Sequence, residues 1–267
     1  MSCHDDGVCT IANRHFENLS LADFIACNPS AVGENFNGKF PLIIKLIDAD
    51  DNLSVQVHPA GENCKNEMWY VLDCEENSCI LYGLKDDTSE QVFRQHIRDN
   101  TVTDLMNKVP VHKGDVFYIK AGTLHAIGSG ILVAEIQQNS NVTYRVYDYE
   151  RTDKYGNKRP LHIEEAMKVI DFRHQSEIHH KTYSENNVTV LNECEFFRVY
   201  EISAENQYVI SNDKSSFSNI IITEGSGTIS EYSDVHAESF KKGDSFFLSA
   251  GCDYIIKGKT KFILTKV

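Results

Sequence analysis

The chain has 267 residues, of which 41% are hydrophobic and 24% charged, so it is neither disordered nor fibrous and can bury a sizeable core. Its 26 Lys and Arg stand against 39 Asp and Glu, a formal net charge of -13. That sign excludes a general nucleic-acid or anionic-membrane surface, and an anionic ligand would need positive charge built locally from a few residues in one cleft.

No segment is long enough to span a bilayer, and MSCHDDGVCTIANRHF lacks the apolar core of a signal peptide, so the expected compartment is the cytoplasm. The 8 cysteines form no CxxC pair, and Cys64, Cys74 and Cys79 lack knuckle spacing; reduced, mostly buried thiols are expected.

Helix is expected first over Leu19 to Cys27. Short runs rich in Val, Ile, Tyr and Phe and bounded by turn residues then predict strands over Phe40 to Leu46, Leu53 to His58, Met68 to Asp73 and Ser78 to Gly83. A second helix spans Ser89 to Asp99, with Thr88 and Gln91 spaced as a capping box. Further strands follow over Val116 to Ile119, Ile131 to Gln137 and Val142 to Tyr147. A third helix, His162 to Phe172, opens after Pro160 with Ile163, Met167 and Ile170 on one stripe. The polar stretch RHQSEIHHKTYSENN is expected to be a linker, with His179 and His180 solvated, and Val188 to Val267 is again strand-like, with turns at Gly225, Gly227, Gly243, Gly251 and Gly258. Gly225-Ser-Gly227 is expected to be a hairpin turn and no phosphate loop, since no helix follows it.

An internal repeat supports two β units. Lys113-Gly-Asp-Val-Phe-Tyr-Ile-Lys-Ala-Gly-Thr-Leu-His125 returns as Lys242-Gly-Asp-Ser-Phe-Phe-Leu-Ser-Ala-Gly-Cys-Asp-Tyr254, and shared glycines imply a shared backbone path. His125 in the first copy is Tyr254 in the second, so a ligand role for that histidine belongs to the first copy alone. The expected architecture is mainly β, two barrels of the jelly-roll kind with a few short helices: residues 1–180, which keep His125, and residues 181–267, a degenerate copy with Tyr254 in its place.

On a strand, Gln56 and His58 share a face while Val57 points into apolar packing. Glu67 follows a short loop at the mouth of the next strand, and His125 comes from the repeated turn. Singly, a strand histidine is ordinarily hydrogen-bonded structure and Glu67 a solvated strand end. Together, one amide oxygen, two imidazoles and a carboxylate make a site for a divalent metal with room for substrate oxygens.

Gly114-x5-Lys-x-Gly122-x2-His125 resembles the second motif of the cupin superfamily, and Gln56-x-His58 followed by Glu67 resembles the first, with Gln for the usual first His and a longer gap before Glu. The phrases FPLIIKLIDADDNLSVQVHP, KNEMWYVLD, GTLHAIGSG and EIQQNSNVTYRVYDY narrow this to a resemblance to the type I phosphomannose isomerases, from about Phe40 to Phe172 and more weakly beyond. The resemblance implies zinc held by Gln56, His58, Glu67 and His125, one ion per chain, and isomerisation of mannose 6-phosphate and fructose 6-phosphate through a cis-enediol. It also implies an essential Arg145 and further pocket positions at Glu135, Lys65 and Lys45. Arg145 presents a planar fork to an enediolate or phosphate, with a surface pair to Asp148 or Glu150 as the ordinary alternative. Lys45 or Lys65 binds phosphate or shuttles the proton, and burial could lower a lysine's pKa toward neutrality. Glu135 is favoured as the proton-transfer base, its alternative being a structural pair with Arg145 or Lys65. Trp69 and Tyr144, Tyr147 and Tyr149 are expected to be packing. The family's N-terminal region with its Trp-Gly-Gly phrase is longer, and strands missing there would leave a barrel edge that a homodimer or a rearrangement covers. The loop before Glu67 is also shorter than the family's, which bears on the lid of the pocket.

Overall fold

A computed structural model describes all residues except 6, 14, 176–181 and 234–235. It divides the chain into two compact units, one of Ile44–His180 and one of Met1–Ile43 with Lys181–Val267. Of the sequence-predicted linker, residues 173–187, residues 176–181 lie outside the described ones, His179 and His180 among them, and Tyr183–Glu185 forms a strand instead.

Helix α1 (Leu21–Cys27) is capped by Ser20, whose side chain accepts from the Asp23 amide. Residues 1–43 were grouped by sequence with the leading barrel, but they cluster with the C-terminal strands. Phe24 and Phe40 pack with Phe217 and Phe247, the Phe40 and Phe217 rings stacked 5.0 Å apart, and Leu21 and Ile25 of α1 join the same cluster.

The unit Ile44–His180 is built from two sheets. Its strands are β1 (Leu42–Ala49), β2 (Val55–Val57), β3 (Glu67–Cys74), β4 (Cys79–Leu84), β5 (Met106–Pro110), β6 (Val116–Ile119), β7 (His125–Ile127), β8 (Ile131–Gln138) and β9 (Tyr144–Tyr147). One sheet runs β1-β8-β3-β6 and the other β5-β4-β7-β2-β9. Alternate residues from both sheets fill the space between them: Trp69, Val71, Phe117, Ile119, Ile131 and Val133 from the first, Ile80, Tyr82, Val109 and Ile127 from the second. The other face of the second sheet carries Val55, Val57, Ala126 and Val146 and is covered by α2 (Glu90–Arg98) and α3 (Ile163–Met167) through Phe93, Ala166 and Met167. In β2 the fully buried Val55 and Val57 face the helices, and the half-buried Gln56 between them faces the lumen.

Several local expectations change. The cap of α2 is Ser89, whose Oγ accepts from Val92 N, rather than a Thr88–Gln91 box, because Ser89 is the last extended residue before the helix. Helix α3 ends at Met167, short of Phe172. Strand β5 was not foreseen. Tyr144 and Tyr147 are packing residues, as expected, and they pack on the helix-covered face. All eight cysteines are free, but none is fully buried and Cys27 is exposed.

The second unit carries β10 (Tyr183–Glu185), β11 (Val188–Glu193), β12 (Arg198–Ala204), β13 (Gln207–Ser211), β14 (Ser218–Glu231), β15 (Glu238–Lys241), β16 (Ser245–Leu248), β17 (Asp253–Lys257) and β18 (Thr260–Lys266) around an Ile-, Leu- and Phe-rich core. Gly225 and Gly227 form no hairpin: both lie inside the 14-residue strand β14, which pairs with β16 and β18 in its first half and β15 and β17 in its second. Gly225 has φ +82 and adjoins a register shift, and a Cβ at Gly227 would stand 2.0 Å from the Lys257 carbonyl oxygen, so glycine lets one strand bend between two ladders.

The repeat is a repeat of structure. Gly114 and Gly243 have φ +96 and +94, and Asp115 and Asp244 each accept, through Oδ2, the amide of the residue three before at 2.8 Å. The amide of Gly114 donates to Val71 O and that of Gly243 to Ile222 O, at 2.8 and 2.9 Å. Glu67 pairs with Ile119 and Gln137, as Ser218 pairs with Leu248 and Lys266. No helix in the described residues is long and apolar enough to cross a membrane.

Candidate metal centre

At one end of the lumen the apolar packing between the sheets gives way to polar side chains. His58 follows β2, Glu67 opens β3 and His125 opens β7, with Gln56 and His125 directly opposed across the β2–β7 ladder. His58, Glu67 and His125 are all essentially fully buried, and one ligand atom from each lies within 4.8 Å of the others.

Hydrogen bonding to the main chain fixes both imidazoles. His58 Nδ1–H donates to Val142 O at 3.0 Å and His125 Nδ1–H to Thr123 O at 2.9 Å, leaving the two Nε2 lone pairs directed inward. His58 Nε2 stands 3.2 Å from Glu67 Oε2, and His125 Nε2 stands 3.3 Å from Glu67 Oε1. Lys65 Nζ approaches Glu67 Oε2 to 2.9 Å, yet neither carboxylate oxygen accepts a hydrogen bond of acceptable angle, and His58 Nε2 is likewise unpartnered. Two carboxylate oxygens and an inward Nε2 lone pair, buried with Lys65 as the one neighbouring ammonium, are a set of acceptors that fits a cation. The donor set of imidazole nitrogen and carboxylate oxygen suits Zn²⁺. Gln56 lies beside this set, its amide Nε2 3.2 Å from His125 Nε2; the opposite amide rotamer turns its oxygen to the same point.

The electrostatics agree. Burial alone would push the Glu67 carboxyl up, but Lys65, His58 and His125 hold it well below the usual carboxylate range. Burial pushes His125 down to about 3, which keeps it a neutral ligand. Burial also opposes the Lys65 ammonium, but Glu67 and Glu135 outweigh it and raise its pKa, the reverse of the shift toward neutrality entertained from sequence.

Beside these groups, Glu135 and Gln137 project from β8 on the same face as Ile131 and Val133. Glu135 pairs with neither Arg145 nor Lys65. Lys45 Nζ donates to Glu135 Oε1 at 2.9 Å and to Gln137 Oε1 at 2.7 Å, while the Trp69 indole N–H donates to Glu135 Oε2 at 3.2 Å. Arg145 is opposite Gln56 in the β2–β9 ladder. Its Nε donates to Ser54 Oγ at 3.2 Å and its Nη1 to Pro160 O at 3.0 Å. The surface pair does not form: Asp148 is taken by Arg151 and Arg159, and Glu150 by Lys158. Partial burial and the neighbouring Arg159 lower the Arg145 pKa, as expected for clustered cations short of anions.

Sequence reasoning missed Trp69 as a polar partner, and missed Ser54 and Gln137. Ser54 lies two before Gln56, so strand parity could have found it; nothing local marks the other two. In the second unit the equivalent positions are Ser218 and Tyr254, whose hydroxyl accepts from Ser249 N. Among the described residues, His58, Glu67 and His125 form the one cluster of this kind.

Two family models match: "Phosphomannose isomerase type I, catalytic domain" over residues 1–109 and "Mannose-6-phosphate isomerase, cupin domain" over residues 187–267. Gln56, His58, Lys65 and Glu67 fall within the first; His125, Glu135 and Arg145 lie between the two. The chain is 34% identical to mannose-6-phosphate isomerase ManA of Bacillus subtilis over 99% of this chain and 87% of that protein. It is 41% identical to a mannose-6-phosphate isomerase of Streptococcus mutans over 64% of this chain and 56% of that one. The crystal structure of the mannose 6-phosphate isomerase from Bacillus subtilis superposes with a TM-score of 0.89 at 33% identity, covering 100% of this chain and 88% of that one. Sequence, fold and the barrel-end geometry agree end to end: the chain belongs to the type I phosphomannose isomerase family, within the cupin fold.

Proposed function

We propose that the chain is a zinc-dependent aldose–ketose isomerase that interconverts mannose 6-phosphate and fructose 6-phosphate through a cis-enediol. The observation that carries this reading is the buried meeting of Glu67 with the Nε2 atoms of His58 and His125, in a chain of this family. When bound by these groups and Gln56, Zn²⁺ supplies Lewis-acid polarisation at the sugar's carbonyl end.

The remaining work belongs to side chains. Glu135 takes the proton from C2 of the aldose, and the released electron pair forms the C1–C2 double bond as the C1=O π pair moves to O1. A hydroxyl proton then passes from O2 to O1, C2=O forms, and the C1–C2 π pair takes the proton back from Glu135 at C1. Lys45 donates to one Glu135 oxygen and the Trp69 indole N–H to the other, which holds the buried carboxylate in place. The Arg145 fork, whose polar contacts are one hydroxyl and one carbonyl, is free to bind an enediolate or phosphate oxygens with two parallel N–H bonds. Lys65, buried against Glu67, adds a fixed positive charge for the anionic substrate. The free thiols and the absence of a membrane-spanning helix among the described residues are consistent with a cytoplasmic setting.

The test is a coupled assay for fructose 6-phosphate formed from mannose 6-phosphate by the zinc-loaded chain. Turnover is expected; tight binding of sugar phosphate with no turnover would replace the enzyme with a metal-bearing sugar-phosphate sensor.

A further inference from the structure

Trp69 is the chain's only tryptophan, and by composition it is a core residue. It is 1% exposed and packs among Val71, Phe117 and Val133. Two of its contacts are not those of a space filler. Its indole N–H donates to Glu135 Oε2, directly across the β3–β8 ladder, and its ring meets His125 edge-on at 5.4 Å and 75°. A phenylalanine would supply the same apolar contact but no donor. Since Lys45 holds Oε1, the two donors together fix the plane of the Glu135 carboxylate.

We propose that Trp69 is a positioning residue, its indole N–H setting the orientation of Glu135 in the lumen while its ring edge braces the His125 imidazole. The proposal rests on Glu135 as the proton-transfer base. A carboxylate pinned at both oxygens loses rotational freedom before substrate arrives, and a carboxylate held by Lys45 alone can swing about Cγ–Cδ. The effect is therefore on the chemical step rather than on binding of the sugar phosphate.

Three readouts test this. In the zinc-loaded native chain the single indole N–H gives one cross-peak in a ¹H–¹⁵N spectrum. It is expected downfield and slow to exchange, moving upfield in E135L; a peak at the free-indole position in the native chain would overturn the contact. W69F is expected to keep one zinc per chain and lose about tenfold in kcat with KM within about twofold. Adding W69F to E135Q is expected to cost less than about twofold more, because no base is left to orient. Full kcat in W69F, or the full tenfold loss repeated in the E135Q background, would reduce Trp69 to packing while leaving the Glu135 assignment intact. Full turnover by E135Q would overturn that assignment itself and the proposal with it. The spectral readout needs no variant to fold.

Discussion

Removing the His125 imidazole takes away one of the lone pairs that converge on Glu67 and leaves a buried carboxylate facing Lys65 and one histidine. His125→Ala is expected to lose bound metal and turnover together, turnover by about 100-fold or more, measured by elemental analysis beside the isomerase assay. Arg145→Lys separates the two functions. The ammonium cannot reproduce a two-pronged contact, so metal stays at one per chain while kcat/KM falls about 10- to 100-fold; unchanged kinetics would make Arg145 scaffold. The clustering of His58 and His125 with Glu67 was legible at this scale because strand parity puts Gln56 and His58 on one face and the repeat singles out His125. The hydrogen-bond partners were not. Whether Glu135 meets Arg145, Lys65 or Lys45 depends on which strands neighbour β8, and 90 residues separate Glu135 from Lys45. Trp69 has the sequence signature of a core residue, and it is one; its polar contact is set by the β3–β8 register, which no local pattern encodes.

Among the elements, the repeated Gly-Asp turn was the most informative signal because glycine at φ above +90° is demanded by the backbone itself. The same residue type misled at Gly225 and Gly227. Two glycines flanking a serine read as a turn, but their lack of Cβ serves a bend within one long strand. Gly227→Ala tests this: the new Cβ meets the Lys257 carbonyl oxygen at 2.0 Å and Phe240 Cζ at 2.8 Å, so the strand must shift. A loss of about 2–4 kcal/mol is expected by denaturant unfolding. A loss under about 0.5 kcal/mol would show that the bend tolerates a side chain, as a hairpin tip would. Helix ends were less legible than helix existence, since the α2 cap passes from Thr88 to its neighbour Ser89 with no change in the apolar face.

Across the whole molecule, a net charge of -13 coexists with a local concentration of cations: Lys45 and Lys65 at the polar end of the lumen, and Arg145 opposite Gln56. The net negative charge repels polyanions from the surface in general, while Lys45 and Lys65 are each paired with a buried carboxylate, Glu135 and Glu67. The fold class followed from many short strands with turn residues between them; the clustering of residues 1–43 with the C-terminal strands did not, because it depends on aromatic contacts between segments nearly 200 residues apart. In the proposed isomerase, activity depends on one divalent ion gathered by Gln56, His58, Glu67 and His125. Stepwise addition of Zn²⁺ to metal-stripped chain, following fructose 6-phosphate formation at each step, measures it directly. Turnover should climb from background in proportion to added zinc and break sharply at one ion per chain; full turnover before any zinc is added, or a rise with no break at one equivalent, would contradict it.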